Sequence, residues 1–315
     1  MVDARIICTD LAGLKSQALG VVEAAGLVPD MRPLRFRRLW RHIPTNFWYN
    51  PRWAIAAELF STPLPPVVIG AGGAGARVAA CLRGRDVRAV AIQHPRMALS
   101  RFDIVLAARH DAISGPNVIV TRTALHRVTP ARLAASQQIW APRFAHLPQP
   151  LVAVLLGGSN GRYRFELDEA RALVAGLASM LRQGLGVVVT PSRRTSAPVL
   201  ALMREVLTPL GAYIWDFSGE NPYFGMLACA DAILVTADSV SMVSEAVATS
   251  APVMLVRLPG KSSRIGAFMD DLVQAGRVRN FVDRLEMWDT APLNDTDWAG
   301  QELRRRLGLE AHAGY

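Results

Sequence analysis

TADSVSMVSEAVATSAPVMLV, residues 236–256, decides how this chain is read. An apolar run ends at Ala237. Polar groups follow at Asp238, Ser239, Ser241, Ser244 and Glu245, and a small-residue helix then leads to a second apolar run from Pro252. An apolar strand, a helix and another apolar strand make the unit of a parallel sheet covered on both faces. In open sheets of that kind ligands sit beyond the carboxyl ends of the strands. Hydroxyls and a carboxylate placed where strand turns into helix therefore mark a binding wall.

The same alternation extends in both directions. Towards the N-terminus, strands are predicted at 4–10, 65–73, 87–93, 102–108 and 117–121, with helices at 14–26 and 74–84. Residues 126–150 hold four prolines and end without periodicity, which predicts one short helix and a linker. The pattern then restarts, with strands at 151–158, 185–192, 212–216, 232–237 and 252–258. Helices are predicted at 166–184, 197–211, 221–230, 262–276 and 297–311. Asn221 is read as the N-cap of the 221–230 helix, with Pro222 at its first position. Two sets of strand–helix units predict an α/β fold of two Rossmann-like, doubly wound parallel-sheet domains with an interdomain cleft.

At 315 residues and 51% hydrophobic, the chain has material for two cores. No apolar run reaches the ~18 residues of a membrane span. The N-terminus carries Asp3 early and too short an apolar stretch for a signal peptide. Cys8, Cys81 and Cys229 lie in apolar surroundings at spacings that match no metal or redox motif. These features predict a cytoplasmic protein. Charge is uneven: residues 1–148 hold 19 Arg and Lys against 8 Asp and Glu, while residues 149–315 hold 16 against 18. The basic half is expected to meet something anionic. Within it, RFRRLWRHIPTNFWYNPRW (35–53) has five Arg and six aromatics. Arg35, Arg37, Arg38, Trp40, Arg41, Trp48 and Trp53 are its candidate contacts to a membrane or an anionic acceptor. The same mixture would suit single-stranded nucleic acid, and the competing structural reading is a partly buried loop with Arg stacked on Trp.

Four loops after strands in the second half carry candidate chemistry. GGSNGRYRF (157–165) offers Gly157, Gly158, Ser159, Asn160, Gly161 and Arg162, with backbone N–H groups suited to a phosphate. TPSRRTS (190–196) offers Ser192, Arg193 and Arg194 as a diphosphate clamp. DFSGENPYFGM (216–226) offers Glu220 and Asn221, and the opening stretch offers Ser239, Ser241 and Glu245. Each loop alone also fits a plain turn or helix cap; their convergence in one half points to a ligand. GAGGAG (70–75) satisfies G-x-G-x-x-G, but Gln93 and His94 stand where a nicotinamide site needs an acid. The six histidines are scattered, so neither metal nor cofactor is expected.

These residues resemble known families. The second half is similar to the donor half of GT-B glycosyltransferases, most of all the lipid-intermediate N-acetylglucosaminyltransferase of peptidoglycan synthesis. The carriers are Gly157-Gly158-Ser159-Asn160-Gly161 and the run from Thr236 to Pro259. More closely, the chain resembles the Elm family, named after a plant mitochondrial fission factor. GPNVIVTRTALHRVTP (115–130), GGSNGRY (157–163), VTPSRRT (189–195), GENPYFGMLACADAILVTADSVSMVSEA (219–246) and RLPG (257–260) carry that likeness. Many bacterial members are loosely called nucleoside-diphosphate-sugar epimerases. The restart of alternation after residues 141–150 places the domains at 1–145 and 146–296; the resemblance implies a GT-B-like fold with the first as the acceptor side, the second as the donor side, and a C-terminal helix, 297–315, returning to the first. It implies that Glu245 holds ribose hydroxyls and that the 157–161 loop meets phosphate. The implied activity is metal-independent transfer of a sugar from a nucleotide-sugar donor to an anionic or lipid-linked envelope acceptor. The donor would be a substrate, no nucleic-acid partner is expected, and a lipid-linked acceptor would bring the cytoplasmic protein to the inner face of the cytoplasmic membrane as a peripheral protein. Arg193, Arg194, loop N–H groups and helix ends would offset leaving-group charge. Asp10, after the first strand, is the candidate general base. A noncatalytic adaptor keeping the fold and a nucleotide-sugar epimerase are the alternatives.

Overall fold

Strands made almost wholly of Val, Ile, Leu and Ala cannot tolerate a wet face, and the chain covers both faces of two sheets. The computed structural model describes residues 2–38, 40, 43–48, 50–61 and 63–309. They fall into two compact units, the first built from the chain up to Arg127 and from Asn294 onward, the second from Val128–Leu293.

The first unit begins β1 (Asp3–Cys8), α1 (Ala12–Ala24), β2 (Val28–Pro33) and the one-turn α2 (Pro51–Ala54). It continues β3 (Val67–Ala71), α3 (Gly72–Leu82), β4 (Arg88–Ile92), β5 (Ile104–Ala108) and β6 (Val118–Thr121). Its six strands are all parallel in the order β2-β1-β3-β4-β5-β6. β3 and β5 are buried along their whole length. β2, VPDMRP, is missing from the sequence reading because an edge strand carries charges and prolines that a central one excludes.

The second unit runs α4 (Pro130–Phe144), β7 (Leu151–Leu156), α5 (Leu167–Arg182), β8 (Gly186–Pro191), α6 (Ala197–Leu207) and β9 (Tyr213–Ile214). Then come α7 (Tyr223–Cys229), β10 (Ala232–Thr236), α8 (Val240–Val247), β11 (Val253–Val256), α9 (Ser263–Gln274) and β12 (Val278–Asn280). Its parallel order is β12-β11-β10-β7-β8-β9. The chain winds outward from β7 to β9, then returns to the other side of β7 as β10. That reversal opens a crevice at the carboxyl ends of β7 and β10. β7, β8 and β10 are buried throughout.

The boundary expected at 145/146 is corrected to 127/128. The supposed linker contains a 15-residue helix, α4, with Pro142 inside it. Trp140 and Phe144 are buried in the second unit's core. The Phe144 ring lies 5.5 Å from that of Tyr213. A Cβ on Gly225 of α7 would fall 2.2 Å from Trp140 Cγ, so glycine there lets the two helices touch. The sequence predicts only a short helix here because a proline sits inside it and its apolar positions are few.

The last helix, α10 (Thr296–Arg306), packs on α1 in the first unit. Ala299 and Leu303 are fully buried there, and Arg304 donates to the Ala25 carbonyl at 2.9 Å. Arg122 grips Asp295 at 2.9 Å, and the His126 N–H donates to Thr296 Oγ1 at 3.1 Å. Among the described residues no helix is long and apolar enough to cross a membrane.

The GAGGAG run serves packing. A Cβ on Gly75 would sit 2.3 Å from the Ile7 carbonyl oxygen, and one on Gly70 would sit 2.2 Å from the Gly75 carbonyl oxygen. α3 therefore rests directly on the backbones of β1 and β3. Gly75→Ala should lower stability by about 1–3 kcal/mol, the range for overpacking a well-packed contact. Urea unfolding of the variant measures this; an unchanged midpoint would mean that the helix does not pack so closely.

Candidate functional site

The crevice at β7 and β10 is organised around a buried carboxylate. β10 ends at Thr236, and two residues on Asp238 turns inward with no solvent-exposed side-chain surface. The Gly157 N–H donates to Thr236 Oγ1 at 2.7 Å, and the Gly158 N–H reaches Asp238 Oδ2 at 3.4 Å. Arg194, from the loop after β8, lies 2.6 Å from Asp238 Oδ2 and donates to the Gly158 carbonyl at 3.1 Å. The hydroxyls of Ser192 and Thr195 both donate to the Gly157 carbonyl, at 2.9 and 2.5 Å. Three strand-end loops are thus tied into one structure. Both glycines are required by it: a Cβ at 157 would fall 2.1 Å from Asp238 Oδ1, and one at 158 would fall 2.0 Å from the Arg194 carbonyl oxygen. Asp238 Oδ1 is buried with no hydrogen-bond partner. Such a group is costly, and the adjacent guanidinium offsets that cost.

α8 starts beside this knot. Ser239 is its N-cap and accepts from the Met242 N–H at 3.4 Å. First-turn N–H groups and the positive end of the helix dipole make that terminus favourable to an anion. Glu245, on the second turn, is 7% exposed. The Tyr223 hydroxyl donates to Glu245 Oε2 at 2.5 Å. Burial, and then the neighbouring carboxylate, push the Tyr223 phenol well above its ordinary range, so it stays a donor. The far end of α8 is held by the buried Arg277, which donates to the carbonyls of Val247 and Thr249 at 2.9 and 2.7 Å. Burial lowers the Arg277 pKa to about 10.

Several expected roles change. The N–H groups of Gly157 and Gly158 are directed into the knot, so they do not face a phosphate. Arg194 neutralises Asp238 rather than standing free as a diphosphate clamp. Ser159 is turned to its own loop, donating to Glu166 Oε1 at 2.6 Å. Asn160 Oδ1 accepts from the Arg162 and Tyr163 N–H groups, closing the turn. Nothing approaches Gly161 within 4 Å of an added Cβ, and the Arg162 and Arg193 side chains are exposed. Glu220 is exposed and pairs with Arg143 at 3.0 Å. Asn221 accepts from the Tyr223 N–H at 3.0 Å while Pro222 takes the N-cap position, one residue later than expected. Ser241 lies half-buried in the first turn of α8.

In the first unit, Asp10 follows β1 with a largely exposed side chain, 2.5 Å from Lys15 Nζ. Gln93 donates to Gln17 Oε1 at 3.2 Å, occupying the place an acid would need for nicotinamide binding. Trp48 is 3% exposed in the core and donates to the Ile43 carbonyl, so it is removed from the surface contacts. Trp40 is half-buried against the same cluster. Arg35, Arg37, Arg38 and Trp53 are exposed, and Arg41 lies outside the described residues. Among the described residues no group of three or more His, Cys, Asp or Glu side chains could hold a metal ion.

In the sequence Asp238 is not marked for its role, nor are Thr236, Thr195 and Tyr223 marked as partners of the site. An acid two residues past an apolar strand, together with a paired glycine after another, was the available signal.

Two six-stranded parallel sheets, each flanked by helices, with a strand-end crevice at a reversal of strand order, define a GT-B-type α/β protein. Residues 12–307 match the family described as mitochondrial fission ELM1, and the chain belongs to that family. The mitochondrial fission protein ELM1 of Arabidopsis thaliana is 34% identical over 286 residues, a match covering 80% of this chain and 66% of the plant protein's length. The UDP-GlcNAc 2-epimerase of Methanocaldococcus jannaschii, solved with UDP-GlcNAc and UDP, is 13% identical with a TM-score of 0.60, covering 98% of this chain and all of that one (100%). The glycotransferase of kitacinnamycin is 11% identical with a TM-score of 0.53, covering 98% and 95%. These structural likenesses establish the shared fold.

Asp238→Asn keeps the shape of the knot and removes the charge that Arg194 faces. It should cost about 1–3 kcal/mol, as for a buried polar group that loses its charged partner. Thermal and urea unfolding test this; wild-type stability would show that the carboxylate does not organise the loops.

Proposed function

We propose that the second unit binds a nucleoside-diphosphate sugar at the carboxyl ends of β7, β8 and β10, and that the protein transfers the sugar to an anionic or lipid-linked envelope acceptor. The observation that carries this is the N-terminus of α8, held beside three loops fastened to one buried carboxylate at the point where the strand order reverses. A terminus that is already fixed binds a diphosphate without reorganising. The exposed Arg162 and Arg193 add positive charge nearby in sequence. Ribose hydroxyls would compete with Tyr223 for Glu245, making that carboxylate part fold and part site.

In the transfer, an acceptor oxygen bonds to the anomeric carbon as the bond from that carbon to the diphosphate breaks. The nucleoside diphosphate leaves with the electron pair, and the acceptor proton passes to a base. Asp10 is the candidate carried from the sequence, although its exposure and its contact with Lys15 do not dedicate it to that task. A second reading is epimerisation of the sugar on the nucleotide, supported by a structural neighbour that is a UDP-GlcNAc 2-epimerase.

Calorimetry with uridine, guanosine, adenosine and cytidine diphosphates and their sugars should find one nucleoside diphosphate that binds. Ser241→Asp should weaken that binding about tenfold or more through repulsion of the diphosphate, while an acid in the first turn leaves the helix no less stable. Binding equal to wild type would move the diphosphate elsewhere. No binding across the panel would favour an adaptor. With the binding sugar nucleotide and a lipid extract, release of nucleoside diphosphate supports transfer, whereas an epimeric sugar on intact nucleotide supports epimerisation.

A further inference from the structure

A carboxylate kept for a ligand has to be reachable, and Glu245 is covered from within the second unit. It lies on the second turn of α8 with 7% of its surface exposed. The Tyr223 hydroxyl donates to its Oε2 at 2.5 Å. An ionised carboxylate only accepts. A phenol offers it one O–H donor on a carbon frame, which is also what each ribose hydroxyl offers. Burial first, and then Glu245 itself, keep the Tyr223 proton in place. The bond is therefore charge-assisted and strong, and it stands on one of the two oxygens that a pair of ligand hydroxyls would share.

Tyr223 opens α7, and only the later part of that helix is fixed in the core. Gly225, Met226 and Leu227 are buried, with Gly225 against Trp140 of α4. Upstream, none of residues 216–221 is buried. Their ties are local. Trp215 Nε1 donates to the Ser218 carbonyl at 2.9 Å, the Ser218 N–H donates to Asp216 Oδ1 at 2.9 Å, and Glu220 pairs with Arg143 on the surface at 3.0 Å. An exposed ion pair of that kind contributes little. Phe217 and Gly219, at φ of +69° and +65°, put two left-handed residues in the same short segment. The first turn of α7 can therefore leave α8 while Gly225–Leu227 stay on Trp140.

We propose that Tyr223 is an internal stand-in for a ribose hydroxyl: its contact with Glu245 closes the nucleoside end of the site, and a nucleotide opens that end by displacing the phenol and supplying its own hydroxyls. This rests on the reading that the second unit binds a nucleotide with its ribose at Glu245. One donor is exchanged for others, so the empty site keeps its carboxylate satisfied and the nucleotide gives up part of its affinity to the contact it breaks.

Calorimetry on the full chain tests it, with whichever of uridine, guanosine, adenosine or cytidine diphosphate binds the wild type. Tyr223→Phe keeps the ring and removes the hydroxyl. It should tighten binding about tenfold to a hundredfold, the span of one charge-assisted hydrogen bond no longer broken. The 2′,3′-dideoxy form of the same nucleotide has no hydroxyls for Glu245 and should bind variant and wild type alike. Without ligand the variant should melt below wild type, and saturating nucleotide should narrow the gap. A measurement on the wild type alone stands beside these should the variant fail to fold. Amide exchange at Tyr223 and Met226, whose N–H groups are held by Asn221 and Pro222, should rise when nucleotide is added. Slower exchange there, or an equal gain with the dideoxy form, would overturn the proposal. Nucleotide binding by the wild type that Tyr223→Phe leaves equal or weakens would overturn it while the nucleotide site stands. No binding across the four diphosphates would remove both.

Discussion

The second unit depends on a carboxylate that has been taken out of water. Asp238 lies beneath the loop that leaves β7, and it can lie there only because positions 157 and 158 have no side chains. Its charge is met by Arg194, whose aliphatic stem and backbone reach across from the loop after β8. An isolated buried carboxylate would carry a penalty of several kcal/mol. The protein holds that penalty down with one partly exposed guanidinium, at the cost of leaving Oδ1 without a donor. The return is geometric. Three loops that would otherwise move separately share one anchor, and α8 begins from it.

The alternation of apolar runs and helices made the strands of both sheets legible, because a strand buried on two faces has little freedom of composition. Edge elements were less so. β2 and β12 are short or charged, and their sequences say little because solvent reaches them. α4 was legible only as one short helix before a linker, because its apolar content is thin and a proline sits inside it, yet Trp140 and Phe144 are enough to bind it to the second core. At the site, the polar positions were visible but their partners were not. Glycine pairs and arginines after strands look alike whether they face a ligand or each other. Only the fold shows that Gly157, Gly158 and Arg194 face each other, and that Glu245 is met by Tyr223 from a helix 22 residues earlier. Long-range pairing of this kind leaves no periodic trace.

The GAGGAG run makes the same point in the first unit. A motif defined by glycine spacing describes where backbone comes close to something, without saying to what. Here the something is the protein's own β1 and β3. The acid that would make the motif a dinucleotide site is replaced by a glutamine bonded to Gln17.

Arg277 has a mechanical consequence. Its single side chain takes the carbonyls of Val247, Thr249 and Ala251, and its backbone leads directly into β12. At the other end of α8 the Ser239 hydroxyl caps the first turn by accepting from the Met242 N–H. The C-terminal end of α8 cannot shift along its axis without opening several buried hydrogen bonds at once. Unravelling the last turn of α8 would therefore strip a buried guanidinium of its acceptors, so the C-terminal end of the helix and the start of β12 hold or open together.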